Sequence, residues 1–182
     1  MEAYVFSLYF DSEMSRMIVV VLGLPGSGKS YFAEKFAEVI GAHYISSDQV
    51  RVTLFEEKDY SLRAKEKVYH EMLRLAKDSL KNENDVVLDG TFYLKKWRGV
   101  VRSTFERIAK CYFIEVQASE ALIKKRIQKK RFFSDADFGV YQQLKRVFQP
   151  MKRPHLELDS TNENIEEMIK ISLDYIQLNK EI

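Results

Sequence analysis

The segment Gly23-Leu24-Pro25-Gly26-Ser27-Gly28-Lys29-Ser30 restricts the fold more than any other part of the sequence. It follows the β-branched run Met17 to Leu22 and opens an amphipathic segment, Lys29 to Ile40, so it reads as the turn between a buried strand and a helix. Its glycines allow a tight turn and bring successive backbone N–H groups toward one point, and the positive end of the following helix adds to the same field. A polyphosphate suits that geometry. Gly23, Pro25, Gly26, Ser27, Gly28, Lys29, Ser30 and Tyr31 are therefore the expected nucleotide-binding residues. Lys29 is placed to reach the β and γ phosphates of ATP, and the Ser30 hydroxyl to help hold Mg2+.

Beyond this turn, short β-branched runs alternate with longer amphipathic segments. Strands are expected at Met17 to Leu22, His43 to Ser46, Asp85 to Asp89, Lys110 to Val116 and His155 to Leu158. Helices are expected at Lys29 to Ile40, Leu62 to Leu80, Leu94 to Ile108, Glu120 to Lys130, Gly139 to Phe148 and Ile165 to Leu178, the last after the N-cap candidates Ser160, Thr161 and Asn162. The pattern is α/β, a five-stranded, mainly parallel sheet with helical crossovers, and ligands of such sheets collect at the carboxyl ends of the strands. A length of 182 residues suits one domain, expected over 17–182, with residues 1–16 an N-terminal extension that lacks the basic start and cleavage site of a secretory signal. No apolar run approaches the roughly 20 residues that cross a bilayer, so no membrane partner is expected. Lys plus Arg total 29 against 27 acidic residues, which gives no global signature for nucleic acid and makes any basic site local. The single cysteine, Cys111, excludes an intrachain disulfide and points to a reducing, cytoplasmic compartment.

Three further segments carry chemistry. In Ser46-Ser47-Asp48-Gln49-Val50-Arg51, Asp48 either caps a short helix or orients a substrate hydroxyl and takes its proton late in a transfer, with Arg51 one turn on holding an anionic group. In Asp85-Val86-Val87-Leu88-Asp89-Gly90-Thr91, the apolar strand ends in Asp89, which either binds Mg2+ or caps the next turn. Arg98 in the following helix is either a substrate contact or a solvated surface residue. The third segment is the basic cluster Lys124, Lys125, Arg126, Lys129, Lys130 and Arg131, partly a solvated helix face. Transfer of a phosphoryl group needs added positive charge, commonly from an arginine on a closing lid, and Arg126 is the first candidate with Arg131 and Lys130 beside it. The lid itself is expected at about residues 124–140. The histidines His43, His70 and His155 lack metal-ligand spacing, Cys111 reads as a buried small hydrophobe, and Trp97, Phe92 and Tyr93 as core.

Taken together, GLPGSGKS, SSDQVR, VVLDGTF and R-x4-R with FFSDADFGVYQQLKRVFQP resemble the P-loop kinases that include polynucleotide 5′-hydroxyl kinases, zeta-toxin-like kinases and AAA-type ATP-binding kinases, over about Met17 to Leu158. The resemblance implies a three-layer P-loop nucleoside-triphosphate hydrolase fold with a helical lid, and ATP-dependent transfer to a hydroxyl. It implies Asp48 as the acceptor-activating carboxylate, Arg51 as a substrate contact, Arg126 as the lid arginine, and an adenine pocket near Asp159, Ser160 and Thr161. The sequence departs from the group at Tyr31, where Thr is common, at Gln149, where an acid often precedes Pro150, and in a lid richer in Lys than Arg. The sequence carries no phosphatase or ligase domain, so a small acceptor is expected ahead of nucleic-acid end repair, acting as monomer or homodimer. The alternatives are a nucleotide-driven switch with slow hydrolysis, which needs no acceptor carboxylate, and a polynucleotide kinase, which needs a basic groove. Acceptor-pocket candidates are Glu56, Glu57, Lys58, Tyr60 and Arg63.

Overall fold

The strand β1 (Met17–Leu22) is buried along its whole length, as a strand covered on both faces must be. It is the middle strand of a sheet in the order β2-β3-β1-β4-β5, formed with β2 (His43–Ser46), β3 (Val86–Asp89), β4 (Lys110–Gln117) and β5 (Leu156–Asp159). All four pairings are parallel, so the expected mainly parallel sheet is parallel throughout. This computed structural model describes residues 16–57, 59–128 and 137–179.

Seven helices flank and cap the sheet among the described residues: α1 (Lys29–Ile40), α2 (Ser47–Leu54), α3 (Leu62–Lys81), α4 (Lys95–Phe105), α5 (Glu120–Ile127), α6 (Phe138–Val147) and α7 (Ile165–Leu178). Strand alternation sorts the core into two halves. Ile18, Val20 and Leu22 of β1 pack with Val68, Met72 and Ala76 of α3 and with Trp97, Val101 and Phe105 of α4. Met17, Val19 and Val21 pack with Phe32, Ala33 and Phe36 of α1 and with Met168 and Ile176 of α7. Each fully buried side chain of this kind contributes about 1.5–3 kcal/mol of transfer free energy. The result is three layers, helix, sheet and helix.

Element boundaries differ from expectation mainly at ends. The α4 helix closes at Phe105 rather than Ile108, and α5 at Ile127, with Gln128 as its C-cap, rather than Lys130. Asp48 is not the N-cap of α2: Ser46 is, its hydroxyl accepting from the Asp48 N–H at 3.3 Å. Asn164, not Ser160 to Asn162, caps α7; its Oδ1 accepts from Thr161 N and its Nδ2 donates to Asp159 O, which staples the β5–α7 loop. Residues 1–15, 58, 129–136 and 180–182 lie outside the described residues, and with them nearly all of the N-terminal extension, Lys130, Arg131 and the centre of the expected lid.

Candidate active site

Because the chain runs from β1 outward to β2 and β3 on one side and to β4 and β5 on the other, a crevice opens at the carboxyl end of β1. A cleft of about 1020 Å³ occupies it. The β1–α1 turn supplies Pro25, Gly26, Lys29 and Ser30 to its wall. The left-handed backbone of this turn, with Gly28 at φ +97, admits no side chain: a Cβ there would lie 2.7 Å from the Ser160 hydroxyl. At Gly23 a Cβ would meet the Val116 carbonyl at 2.3 Å, so the turn is pressed onto β4. Ser27 is buried, its hydroxyl accepting from Lys29 N at 3.4 Å, and serves the turn rather than the cleft wall. Tyr31, expected among the nucleotide-binding residues, faces solvent at 59% exposure and does not line the cleft. It stands on the outer side of α1, opposite the core stripe of Phe32, Ala33 and Phe36.

Asp89 reaches the same cleft from β3 and is 2% exposed. Alternation along β3 turns Val87 and Asp89 toward the α1 side, where Tyr44 of β2 donates its hydroxyl to Asp89 Oδ2 at 2.8 Å. Burial, with the Asp89 charge second, pushes the Tyr44 phenol far above its ordinary range, so it stays a donor. Asp89 Oδ1 is buried with no hydrogen-bond partner among the described residues. A buried carboxylate oxygen left this way is suited to a cation, and Ser30 lines the same wall. Sequence reasoning missed Tyr44; strand register, which pairs Ser46 with Asp89, was the signal that would have found it.

The opposite wall is built by α2 and α3. Asp48, Gln49 and Arg51 project from the first turns of α2, beside Tyr60, Lys65, Val68 and Tyr69. Tyr69 is fully buried between the Phe92 and Trp97 rings, 4.8 Å from each centroid, and its hydroxyl accepts from Phe92 N at 3.0 Å. That bond holds Phe92 at φ +42 and so sets Thr91 and Tyr93 into the cleft. Trp97 and Phe92 are core, as expected, whereas Tyr93 borders the ligand space. Asp137, Val140, Gln143, Leu144 and Val147 of α6 and its cap also line the cleft, Asp137 and Val140 belonging to the segment expected as a lid. Of the acceptor candidates only Tyr60 lines it among the described residues, and Lys65 was not foreseen.

Two expected roles are not met in this geometry. Arg98 is buried and spends its guanidinium on the Phe92 carbonyl, at 2.7 Å, and on the Gln149 carbonyl; it ties the β3–α4 loop to the segment after α6 and does not line the cleft. Burial lowers its pKa from the ordinary arginine value. Gln149 completes this staple: its Oε1 accepts from Lys95 N at 2.8 Å at the start of α4, a bond for which Leu94 has no side-chain acceptor. Arg126 likewise stands outside the cleft wall. Its Nη1 donates to Ser27 O at 3.0 Å and Ser160 Oγ at 3.1 Å, its Nη2 to Thr161 O at 2.6 Å, and its Nε to Asn162 Oδ1 at 3.2 Å. It joins α5, the β1–α1 turn and the β5–α7 loop into one support, which brings Ser160 and Thr161 against the phosphate turn. The histidines serve structure: His43 meets Ser79, His70 packs edge-on against Trp97 at 5.3 Å, and His155 pairs with Glu157 at 3.1 Å and Glu115 at 3.7 Å. Burial pushes the Cys111 thiol up to about 11, so it is no nucleophile.

The parallel sheet order, the glycine turn and the cleft at the head of β1 define a P-loop kinase fold. A family model described as AAA domain matches residues 18–151, and the chain belongs to that family. The uncharacterized protein Rv2004c of Mycobacterium tuberculosis is 35% identical over 97 residues, which cover 47% of this chain; the chain spans about a fifth of that relative's length, 20%. Among solved structures, the Mycobacterium tuberculosis APS kinase CysC in complex with AMPPNP and APS superposes with a TM-score of 0.71 at 17% identity, covering 91% of this chain and 99% of that one. A gluconokinase from Sinorhizobium meliloti gives 0.67 at 17% identity, with 93% and 98% covered. At these identities the likeness is one of fold. No helix among the described residues is long and apolar enough to cross a membrane.

Proposed function

We propose that this protein is an ATP-dependent phosphotransferase that passes the γ-phosphoryl group of ATP to a hydroxyl of a small acceptor. One observation carries the reading: a single cleft is lined on one wall by Lys29, Ser30 and Asp89 and on the other by Asp48 and Arg51. A slow-hydrolysing switch needs the first wall alone, so the second favours transfer. Lys29 and the backbone of the glycine turn bind the phosphates, and Ser30 with Asp89 would hold Mg2+, which supplies charge neutralisation to the phosphates when bound.

In the transfer, the acceptor oxygen forms its bond to the γ phosphorus as the bond from that phosphorus to the β–γ bridging oxygen breaks. ADP departs with that electron pair, and the hydroxyl proton passes to Asp48 late in the step. Asp48 therefore works chiefly by orientation. Arg51 is the substrate contact. Arg126 acts as a positioning residue that fixes the phosphate turn, while the α6 wall excludes water. Lys130 and Arg131 remain lid candidates on the expectation from sequence alone.

The test is ADP release from MgATP across nucleosides, sugars, nucleotide sugars and 5′-hydroxyl oligonucleotides, with Asp48→Asn as control. At least one acceptor should stimulate release, and the variant should lose about 10²–10⁴-fold of that stimulated rate. Absence of stimulation by any acceptor, with the variant equal to wild type, would return the protein to the switch class.

A further inference from the structure

The cleft at the carboxyl end of the sheet has a counterpart at the amino end. The edge strand β5 begins at Leu156 and pairs with β4 only from Ile114 to Gln117, so Lys110 to Phe113 of β4 have no strand on their outer side among the described residues. A cavity of about 750 Å³ occupies that gap. The last turns of α4 and α7 border it with Arg102 and Tyr175, the α4–β4 turn with Glu106 and Arg107, and the segment before β5 with Arg153. It shares no lining residue with the active-site cleft.

The wall is basic. Arg102, Arg107, Lys110 and Arg153 line it against a single acid, Glu106. Among the described residues no ion pair joins Arg102, Arg107 or Arg153 to a carboxylate. Arg102 lies instead over the Phe113 ring, its guanidinium carbon 4.9 Å from the centroid, a contact that holds the group without neutralising it. A purely structural account would have these cations answer the carbonyl ends of α4 and α7. Each helix end carries about half a negative charge, so the two ends and Glu106 together balance about two cations. Three arginines exceed that before Lys110 is counted. Like charges gathered in a hollow repel, and a bound anion removes the repulsion.

Tyr112 adds a second observation. It lines the cavity and packs edge-on against Tyr175, ring centroids 6.1 Å apart, yet its hydroxyl is buried with no hydrogen-bond partner among the described residues. Burial pushes the phenol up to about 12, so it keeps its proton and stays a donor. A buried donor left open costs free energy that a ligand oxygen can recover.

We propose that this cavity is a second ligand site, which binds a compact phosphorylated small molecule with its phosphate groups among Arg102, Arg107 and Arg153. Planar guanidinium groups match phosphate oxygens two at a time, which lysines do not. The volume is that of a small-molecule site and far exceeds what one bare ion fills. The site stands apart from the phosphotransfer reading, because it uses none of the cleft's residues.

The test is a calorimetric titration of the full chain at about 0.15 M salt, where diffuse attraction is screened, with saturating MgAMPPNP to fill the glycine turn. The probes are fructose 1,6-bisphosphate, citrate and a short thymidylate oligonucleotide. The bisphosphate should bind wild type, and Arg107→Gln and Arg153→Gln, both at exposed positions, should each weaken it at least fivefold. Lys77→Gln, the loss of an exposed charge on α3 that lines neither cavity nor cleft, should leave the affinity within twofold. The rise in Tm on adding MgAMPPNP should be the same in both arginine variants as in wild type, which checks that the fold and the cleft are intact. Absence of bisphosphate binding, binding that neither arginine variant changes, or equal weakening by Lys77→Gln would remove the site. Citrate bound as tightly, with the same arginine dependence, would overturn the phosphate class. Arginine-dependent binding of the oligonucleotide without binding of the bisphosphate would overturn the small-molecule class and make this face a nucleic-acid contact.

Discussion

Tyr44 and Asp89 meet because β2 and β3 run parallel with Tyr44 opposite Val87 and Ser46 opposite Asp89, so the phenol needs only to lean along the sheet to reach Oδ2. On the proposed reading the pair keeps a strand-end carboxylate ready for a cation: one oxygen is fixed by a neutral donor, and the other is buried without a hydrogen-bond partner among the described residues. Replacing Tyr44 by Phe removes the donor and leaves both oxygens of a nearly inaccessible carboxylate unsatisfied. The expected result, in the absence of nucleotide and Mg2+, is a loss of about 1–3 kcal/mol in unfolding free energy by urea titration. Added Mg2+ with AMPPNP should recover part of the loss, because the cation then serves the same carboxylate. A Tyr44→Phe variant as stable as wild type would mean that Asp89 draws its support from elsewhere.

Most elements were legible in sequence, and the reason is burial. A strand covered on both faces must be apolar at every position, so MIVVVL and VVL stand out, and the long helices α1, α3 and α7 betray themselves by a stripe. Convergence of separate elements was not legible. Lys65 looks like any lysine in the first turn of a helix, and only the packing of α3 beside α2 makes it a wall of the cleft. Arg98 was misread for the converse reason, since nothing local reveals that two loop carbonyls will close around it. The β4–β5 edge offers a pH test at this scale. Glu115 has its carboxyl pKa raised, by burial first and by Glu157, against the opposing effect of His155. A carboxyl group with a folded pKa above its unfolded value contributes stability below the unfolded pKa, and that contribution is lost as pH rises through the folded one. Glu115→Gln should therefore raise the thermal midpoint relative to wild type at pH 7.5, and the gain should shrink toward pH 4. A loss above the carboxyl range that vanishes toward pH 4 would show that the pairing with His155 outweighs the burial, and a gain constant with pH would show that the effect is not linked to Glu115 ionisation.

At the scale of the whole molecule, the proposed nucleotide site is a junction where the β1–α1 turn, α5 and the β5–α7 loop meet, and Arg126 of α5 is the side chain that bonds to the other two. Stability and ligand binding are then linked through that junction. Nucleotide at 100 times its Kd stabilises the folded state by about 2.7 kcal/mol. For a chain of this size each kcal/mol moves the midpoint by about 2–4 °C, so MgAMPPNP should raise the Tm of wild type by about 5–11 °C. Lys29→Ala should abolish nearly all of that shift by removing the cation that faces the phosphates. Arg126→Ala leaves every cleft-lining side chain in place but frees the Ser27 and Thr161 carbonyls and the Ser160 hydroxyl from their common donor. A tenfold weaker Kd at the same nucleotide concentration would subtract about 1.4 kcal/mol, roughly half of the ligand-induced shift. The quantity to compare is the shift on adding ligand, because the midpoint without ligand also falls when the junction loosens. If Arg126→Ala lowers the unliganded midpoint yet keeps the full shift, the arginine braces the fold alone; a halved shift ties it to the nucleotide.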